Sequence, residues 1–286
     1  MRLSFITDEV TQDIHRAIVI AKNFDIQGLE LRSVDDRQID QVPMTTIKDW
    51  SILLKKEGLA VSDIASSFNK CELNDYNIKS ELVRLEALCI IADTFNCQNI
   101  RGFSFFMASN GRSNDLEKIA SCLILAEPIL IKYGKKLLLE ADPSVNTTNH
   151  HSLSLLLDKL KSNSFGAIYD PGNDLFDPNK EIPYPDGYEA IKSHIAHIHV
   201  KDAVYDADGN PLCVAPGSGL VGYGGLIKQL KRDSYDGWLS LEPHYRKDIL
   251  LTDAQMKLPG GRDFSAGGES AMIESIESLK KLLFCL

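Results

Sequence analysis

The sequence predicts an α/β fold, a closed (β/α)8 TIM barrel in a single domain spanning residues 1–286. Three observations lead there. Eight short apolar runs alternate with segments whose apolar residues recur at helical spacing. The 286-residue length is close to the roughly 250 residues such a barrel takes. Four of the runs end in a carboxylate or carry an imidazole near their ends, where this fold collects its functional groups. The competing architecture, an open doubly wound sheet, ordinarily places a glycine-rich phosphate turn after its first strand. Here the first run leads into Thr7-Asp8-Glu9-Val10, without a glycine.

In chain order the expected strands are Leu3–Thr7, Gly28–Arg32, Leu59–Ser66, Asn99–Phe105, Lys136–Ala141, Phe165–Asp170, Ile195–Val200 and Gly237–Glu242. Between them, Thr11–Phe24 puts Ile14, Ala17, Ile18 and Ala21 on one helical face. Ile78–Phe95, Leu116–Tyr133, His151–Leu160 and Ser270–Leu283 repeat the pattern, and the last should cover the outside of strand eight. Long loops follow strands six (171–187), seven (203–225) and eight (243–268). Loops of this length are usually functional or mobile. All three follow strands, so a barrel places them on its C-terminal face, where its active sites lie.

The bulk composition is that of a soluble globular protein, 44% hydrophobic and 25% charged. A net charge of −9 without a long basic run argues against nucleic acid or an anionic membrane as partner. Cys71, Cys89, Cys97, Cys122, Cys213 and Cys285 show no Cys-x-x-Cys spacing and no Cys/His cluster of zinc-finger type and read as reduced thiols. The N-terminus enters a strand directly, with no apolar stretch of signal-peptide or membrane-span length. The expected location is cytoplasmic.

The chemistry rests on strands five to eight. Glu140 closes Lys136-Leu-Leu-Leu-Glu140, and Asp170 closes Phe165-Gly-Ala-Ile-Tyr-Asp170. His199 lies near the end of the seventh strand, and Glu242 closes Gly237-Trp-Leu-Ser-Leu-Glu242. Singly, each has an ordinary explanation: a rim carboxylate, a turn-forming Asp before Pro-Gly, a packed histidine. His197 and His199 share a strand face. Together, three carboxylates and one imidazole at four consecutive strand exits make a ligand set for one divalent cation. With no thiolate, the set suits Mn²⁺, Mg²⁺, Co²⁺ or Zn²⁺, tilted toward the harder ions.

Further candidates surround that set. Lys201 and Asp202 leave strand seven beside His199, and either contacts substrate oxygens or forms a surface ion pair. His244 follows Glu242 by two residues and is placed toward the pocket. Glu30 and Arg32 end strand two on one side, as substrate contacts or as a fixed rim salt bridge. Arg101 reads as interior support for the carboxylates. Arg262, in Pro259-Gly-Gly-Arg262, and the glycine-rich Pro216-Gly-Ser-Gly219 and Gly222-Tyr-Gly-Gly225 are candidates for holding an anionic group. Phe103, Phe105 and Phe106 either floor the pocket or belong to the core.

The whole chain resembles the xylose-isomerase-like barrel superfamily of sugar and sugar-phosphate isomerases and epimerases, which also contains inosose dehydratases and endonuclease IV (the AP endonuclease family 2). The resemblance is carried in order by Thr7-Asp8-Glu9-Val10, Gly28-Leu-Glu-Leu-Arg32, Ser67-Phe68-Asn69-Lys70-Cys71 and Arg101-Gly-Phe-Ser-Phe105. It continues through Tyr169-Asp-Pro-Gly-Asn173, Tyr184-Pro-Asp-Gly-Tyr188, His197-Ile-His-Val-Lys-Asp202 and Leu241-Glu-Pro-His244. It implies Glu140, Asp170, His199 and Glu242 as metal ligands, with Glu140 and Glu242 also moving the proton. A ketose bound through two oxygens has an acidified C–H. One carboxylate removes that proton to leave a metal-stabilised cis-enediolate, and the other returns a proton to the opposite face. The epimerases place a substrate-binding His, a Glu and an Arg where this chain has Asn173, Asn146 and Tyr205. The resemblance further implies Mn²⁺ as the metal, a small carbohydrate as substrate and a homo-oligomer.

Three functions follow. The leading one is a metal-dependent sugar or sugar-phosphate isomerase or epimerase, with Asn173, Lys201, His244, Arg262 and Glu30 as substrate contacts. A dehydratase of inosose or 3-dehydroshikimate type keeps the enolisation but ends in loss of water, with His244 or Lys201 protonating the leaving hydroxyl. A non-catalytic sugar-binding barrel keeps the pocket but tolerates Glu242→Gln.

Overall fold

A computed structural model describes residues 1–108 and 115–285. Eight strands close into a barrel: β1 (Arg2–Ile6), β2 (Gly28–Leu31), β3 (Ala60–Phe68), β4 (Asn99–Gly102), β5 (Lys136–Glu140), β6 (Phe165–Tyr169), β7 (Ile195–Val200) and β8 (Trp238–Leu241). Neighbours follow chain order, and β8 pairs with β1 in register Ser4 to Ser240 and Phe5 to Leu241. All eight pairings are parallel. All eight expected strands are present, with ends moved by a few residues. The fourth stops at Gly102, and Phe105, three residues on, takes a left-handed backbone (φ 62°).

Alternation along each strand divides the residues into two sets. Leu3 and Phe5, Leu29 and Leu31, Leu137 and Leu139, and Leu239 and Leu241 join the apolar cluster beneath the helices. Their neighbours Ser4, Glu30, Arg101, Glu140, His197, His199 and Ser240 are equally buried but lie outside that cluster. The apolar layer between barrel and helices thus carries the packing, and a largely polar set, interspersed with Ile6, Leu138 and Ile168, fills the barrel interior.

The helices Ile14–Asn23, Asp75–Thr94, His150–Leu160 and Gly268–Cys285 occur where the apolar periodicity places them. Ala271, Met272, Ile276 and Leu279 of the last are buried, and it packs on β8 as expected. Met44–Glu57 and Tyr223–Arg232 are additional helices. The helix expected over 116–133 is broken. It runs Leu116–Leu123, tightens to a 3-10 turn at Ile124–Ala126 and resumes as Glu127–Tyr133. Pro128 lacks the N–H that a continuous helix needs there.

The long loops carry structure of their own. After β6 comes the short helix Pro171–Phe176, after β7 a hairpin of Asp202–Tyr205 with Pro211–Val214, and after β8 the short helices Asp253–Lys257 and Gly261–Ser265. Among the described residues no helix is long and apolar enough to cross a membrane.

Candidate metal centre and active site

Glu140 is the last residue of β5, Asp170 stands one past β6, His199 is in β7, and Glu242 stands one past β8. One ligand atom from each lies within 4.8 Å of all the others, and all four residues are buried. His199 Nδ1 is 2.9 Å from Glu140 Oε1 and 3.2 Å from Glu242 Oε2. Its Nε2 is 3.0 Å from Glu30 Oε1, and Glu30 Oε2 is 2.9 Å from His197 Nε2. Glu30 therefore engages one imidazole nitrogen and leaves Nδ1 aimed at the carboxylates. An outer carboxylate placed this way fixes the tautomer and ring orientation of a metal-binding histidine.

Cations hold the carboxylates from the other sides. Arg101 Nη1 is 3.1 Å from Glu140 Oε2. Arg32 Nη1 is 2.5 Å from Glu242 Oε1, while its Nε and Nη2 reach Asp8 Oδ1 and Glu9 Oε1, each at 2.9 Å. Lys201 Nζ lies 2.5 Å from Asp170 Oδ2 and 3.4 Å from Glu242 Oε2. Buried charges this close require such partners, since an unpaired one costs several kcal/mol.

The same neighbours set the protonation. Burial opposes charge on Glu140, but Arg101 and His199 outweigh it and keep the carboxyl below its ordinary value. Burial likewise opposes charge on Glu242, and Lys201, His244 and His199 together hold it well below. At Asp170 burial wins, reinforced by Glu242 and Glu140 against Lys201, and the carboxyl rises to about 6. Burial disfavours the imidazolium of His199, but Glu30, Glu140 and Glu242 push it well above the usual histidine range. Protonated His199 and Lys201 thus balance the carboxylates when no cation is bound.

The donor set fits a divalent cation. It offers three carboxylates and one imidazole at converging strand ends, without a thiolate. Asp170 Oδ2 is buried without a hydrogen bond among the described residues, its contact to Lys201 being an ion pair off hydrogen-bond geometry. Asp170 Oδ1 accepts from Gly172 N–H at 3.0 Å, which holds the carboxylate in place as the cap of helix Pro171–Phe176. A Cβ at Gly172 would meet the Lys201 side chain at 2.7 Å, so glycine is needed for Lys201 to pass.

A cavity of about 940 Å³ opens over this centre, with Arg32, Arg101, Glu140, Lys201 and Glu242 among its lining. Of the expected substrate contacts, Asn173, Lys201 and His244 line it. Asn173 Nδ2 donates to Ala141 O at 2.8 Å, and His244 Nδ1 is 2.8 Å from Glu9 Oε1. Glu30 sits beneath the centre, paired with the two histidines and not with Arg32, so in place of the expected rim bridge the two residues connect through Glu242 and His199. Arg262 is not brought in: its side chain is 82% exposed and pairs with Asp36. The glycine-rich loop is also committed elsewhere, because Gly217 and Gly219 N–H donate to Asp202 Oδ2 at 2.8 and 2.9 Å. Of the phenylalanines, Phe103 lines the cavity and Phe105 belongs to the helix-facing core. Asn146 braces the carbonyls of Ser104, Phe105 and Phe106, and Tyr205 donates to Leu175 O, so both act on backbone.

Four residues of the site escape sequence reasoning. Asp8 and Glu9 anchor Arg32, Arg246 Nη1 lies 3.3 Å from Glu9 Oε2, and Lys70 pairs with Asp142 at 2.8 Å on the cavity wall. Asp8 and Glu9 directly follow β1, and that position is a signal. Arg246 lies in an irregular segment that offers none, and Lys70 stands in the Ser67-Phe68-Asn69-Lys70-Cys71 motif without a role that the motif assigns it.

Comparison with solved structures gives the same architecture. The probable 3-DHS dehydratase AsbF of Bacillus anthracis superimposes with a TM-score of 0.74 at 18% identity, covering 98% of this chain and 99% of that one. D-psicose 3-epimerase from Clostridium cellulolyticum H10, solved with D-tagatose, gives 0.75 at 12% identity and 99% of both chains. The IOLI protein, solved with a zinc atom, gives 0.74 at 13% identity over 99% and 98%. No curated protein matches the sequence. A family model described as the xylose isomerase-like TIM barrel matches residues 18–282. With that match over nearly its whole length, the chain belongs to the xylose isomerase-like TIM barrel family.

Proposed function

We propose that the protein is a divalent-metal-dependent isomerase or epimerase that moves a proton on a carbohydrate carbon next to a carbonyl. The observation that carries this reading is the pair Glu140 and Glu242. They come from strands separated by two others, both reach His199 Nδ1, and each has its second oxygen held by an arginine. Two fixed carboxylates at one centre are what a two-base proton transfer requires. A divalent ion held by Glu140, Asp170, His199 and Glu242 supplies electrophilic stabilisation of charge developing on the substrate oxygens. Mn²⁺ is the first ion to try; the zinc in the IOLI protein keeps Zn²⁺ as an alternative.

The residues divide the work. Both glutamates are held ionised, so one takes the proton from carbon while the proton returned to the opposite face reaches the other from Lys201 or solvent. Loss of the first proton to solvent then completes the cycle. Lys201, beside Glu242, is the nearest reservoir for the returned proton. Arg101, Asn173 and Lys201 face the cavity where substrate hydroxyls need partners. An unphosphorylated substrate fits best, because Asp202 already occupies the amides of the glycine-rich loop and Arg262 points elsewhere. The six free cysteines suit a reducing compartment such as the cytoplasm.

A dehydratase is the second reading, and the likeness to AsbF supports it. Lys201 and His244 both stand beside Glu242, at 3.4 and 3.7 Å, as acids for a leaving hydroxyl. Proton NMR in D₂O with Mn²⁺-loaded protein and a panel of ketoses and cyclic polyol ketones separates the readings. Deuterium entering next to the carbonyl, and abolished by Glu242→Gln, supports the isomerase or epimerase. A new vinylic signal supports the dehydratase. Unaltered ligand binding and unaltered function in Glu242→Gln would favour a non-catalytic barrel.

A further inference from the structure

The cavity has two chemically different halves. Its floor is the charged centre described above. Its rim is mostly apolar: Leu212 from the hairpin after β7 and Ile249, Leu250, Leu251, Met256 and Leu258 from the loop after β8 outnumber Asn210, Asp253 and Lys257 of the same segments. None of the six apolar residues belongs to the main apolar cluster or packs against it. Leu250 is 87% exposed, and Leu212, Ile249 and Leu258 are about half exposed. The rim's Lys257 lays its Nζ over the Phe106 ring, 4.6 Å from the centroid.

Apolar side chains grouped at a pocket mouth, free of any core duty, mark a binding surface. Their position decides what binds. They continue directly from the metal centre in one cavity of about 940 Å³. That is near the top of the range of about 300–1,000 Å³ that holds drug-sized ligands. A free monosaccharide is far smaller and presents hydroxyls on every side, which these aliphatic groups cannot satisfy. A phosphate tail is equally unsuited, since the amides and the arginine that would hold it are engaged elsewhere.

We infer that the substrate is amphipathic, an oxygen-rich carbohydrate head carrying an aryl or alkyl group, as in a glycoside with an apolar aglycone and a ketone on its sugar ring. The head's place at the metal centre rests on the proposed function, whereas the apolar half rests on the rim alone. The head meets Arg101, Lys201 and the two glutamates, and the tail lies along Met256 and Leu250. Each methylene buried there strengthens binding by about fourfold, so partial burial of a phenyl ring is worth at least about tenfold.

Calorimetric titration of the Mn²⁺-loaded protein with methyl, phenyl and octyl β-glucosides reads the tail without requiring turnover. Phenyl and octyl glucosides are expected to bind at least tenfold more tightly than methyl glucoside. Leu250→Asp and Met256→Asp are expected to bring the phenyl-to-methyl ratio close to one. Both sites are exposed or half-buried outside the core, so the variants should fold, which circular dichroism checks. Equal affinity for the three glucosides, no binding of any of them, or a preference that survives both variants overturns the inference. So does a change in oligomeric state in the variants without a change in preference, which would assign the rim to a second copy of the chain. Deuterium exchange on free ketoses keeps the two claims separate. Exchange without a tail preference leaves the proposed reaction standing and removes the amphipathic substrate. A tail preference without exchange, on free ketoses and on a keto-glycoside bearing the tail alike, does the reverse.

Discussion

Asp63 lies in β3, fully buried, and neither carboxylate oxygen has a hydrogen-bond partner among the described residues. Burial, with Glu30 nearby, pushes its carboxyl well above the ordinary range. The folded state therefore keeps the proton, while the unfolded chain loses it near pH 4. Stability from this group is fully present below that pH and declines as pH rises toward the folded value. Asp63→Asn mimics the protonated form and should remove the decline. Its advantage over wild type, measured by denaturant unfolding at pH 5 and pH 7.5, should grow by up to about 1.4 kcal/mol per pH unit. Glu30 acts through His199. Glu30→Ala should weaken metal affinity by about 10–100-fold in a competition titration, with the ligand set itself intact. Residue-scale legibility followed position. Glu140, Asp170, His199 and Glu242 were visible because each stands at the exit of an apolar strand. Arg262 was misplaced because a glycine-rich loop leaves a side chain's direction open, and its partner, Asp36, lies beyond the end of β2.

At the scale of elements, β3 shows how a local irregularity serves the centre. The ladder between β3 and β4 shifts register between Ile64 and Phe68. Arg101 fills the gap, donating through Nη2 to Ala65 O at 3.0 Å and through Nε to Ser66 O at 3.2 Å, while Nη1 holds Glu140. One guanidinium thus joins a strand irregularity to a metal-ligand candidate, as bulges near active sites commonly do. Arg101→Lys keeps the charge but not the fork. It should cost about 2–4 kcal/mol in unfolding free energy from the lost buried hydrogen bonds and the loosened ion pair. The eight strands were legible because strands buried on both faces read as continuous apolar runs. The helix Met44–Glu57 was not, since only Ile47, Trp50 and Leu54 are buried in its 14 residues. The strands of the small hairpin after β2 are two residues each, too short for a period, and those of the hairpin after β7, Asp202–Tyr205 and Pro211–Val214, are mostly apolar without polar alternation.

For the whole molecule, the net charge of −9 matters less than its distribution. Acidic groups are concentrated at the C-terminal ends of β5, β6 and β8, where they converge on His199. Folding and cation binding at the proposed site are therefore linked. A cation that binds only the folded chain stabilises it, by about 2.7 kcal/mol at a hundredfold excess over Kd. Because His199 is held protonated without a cation, binding must expel that proton. Calorimetry in buffers of different ionisation enthalpy should show about one proton released per ion at neutral pH, with affinity falling as pH is lowered.

Whether four strand ends build one cation site is decided by the metal content of the purified protein. Purified protein soaked in Mn²⁺ and desalted should retain one ion per chain, and Glu140→Ala and Asp170→Asn should retain much less while keeping the wild-type circular dichroism. Wild-type protein without a stoichiometric divalent ion after soaking, or variants that bind as well as wild type, would contradict the account.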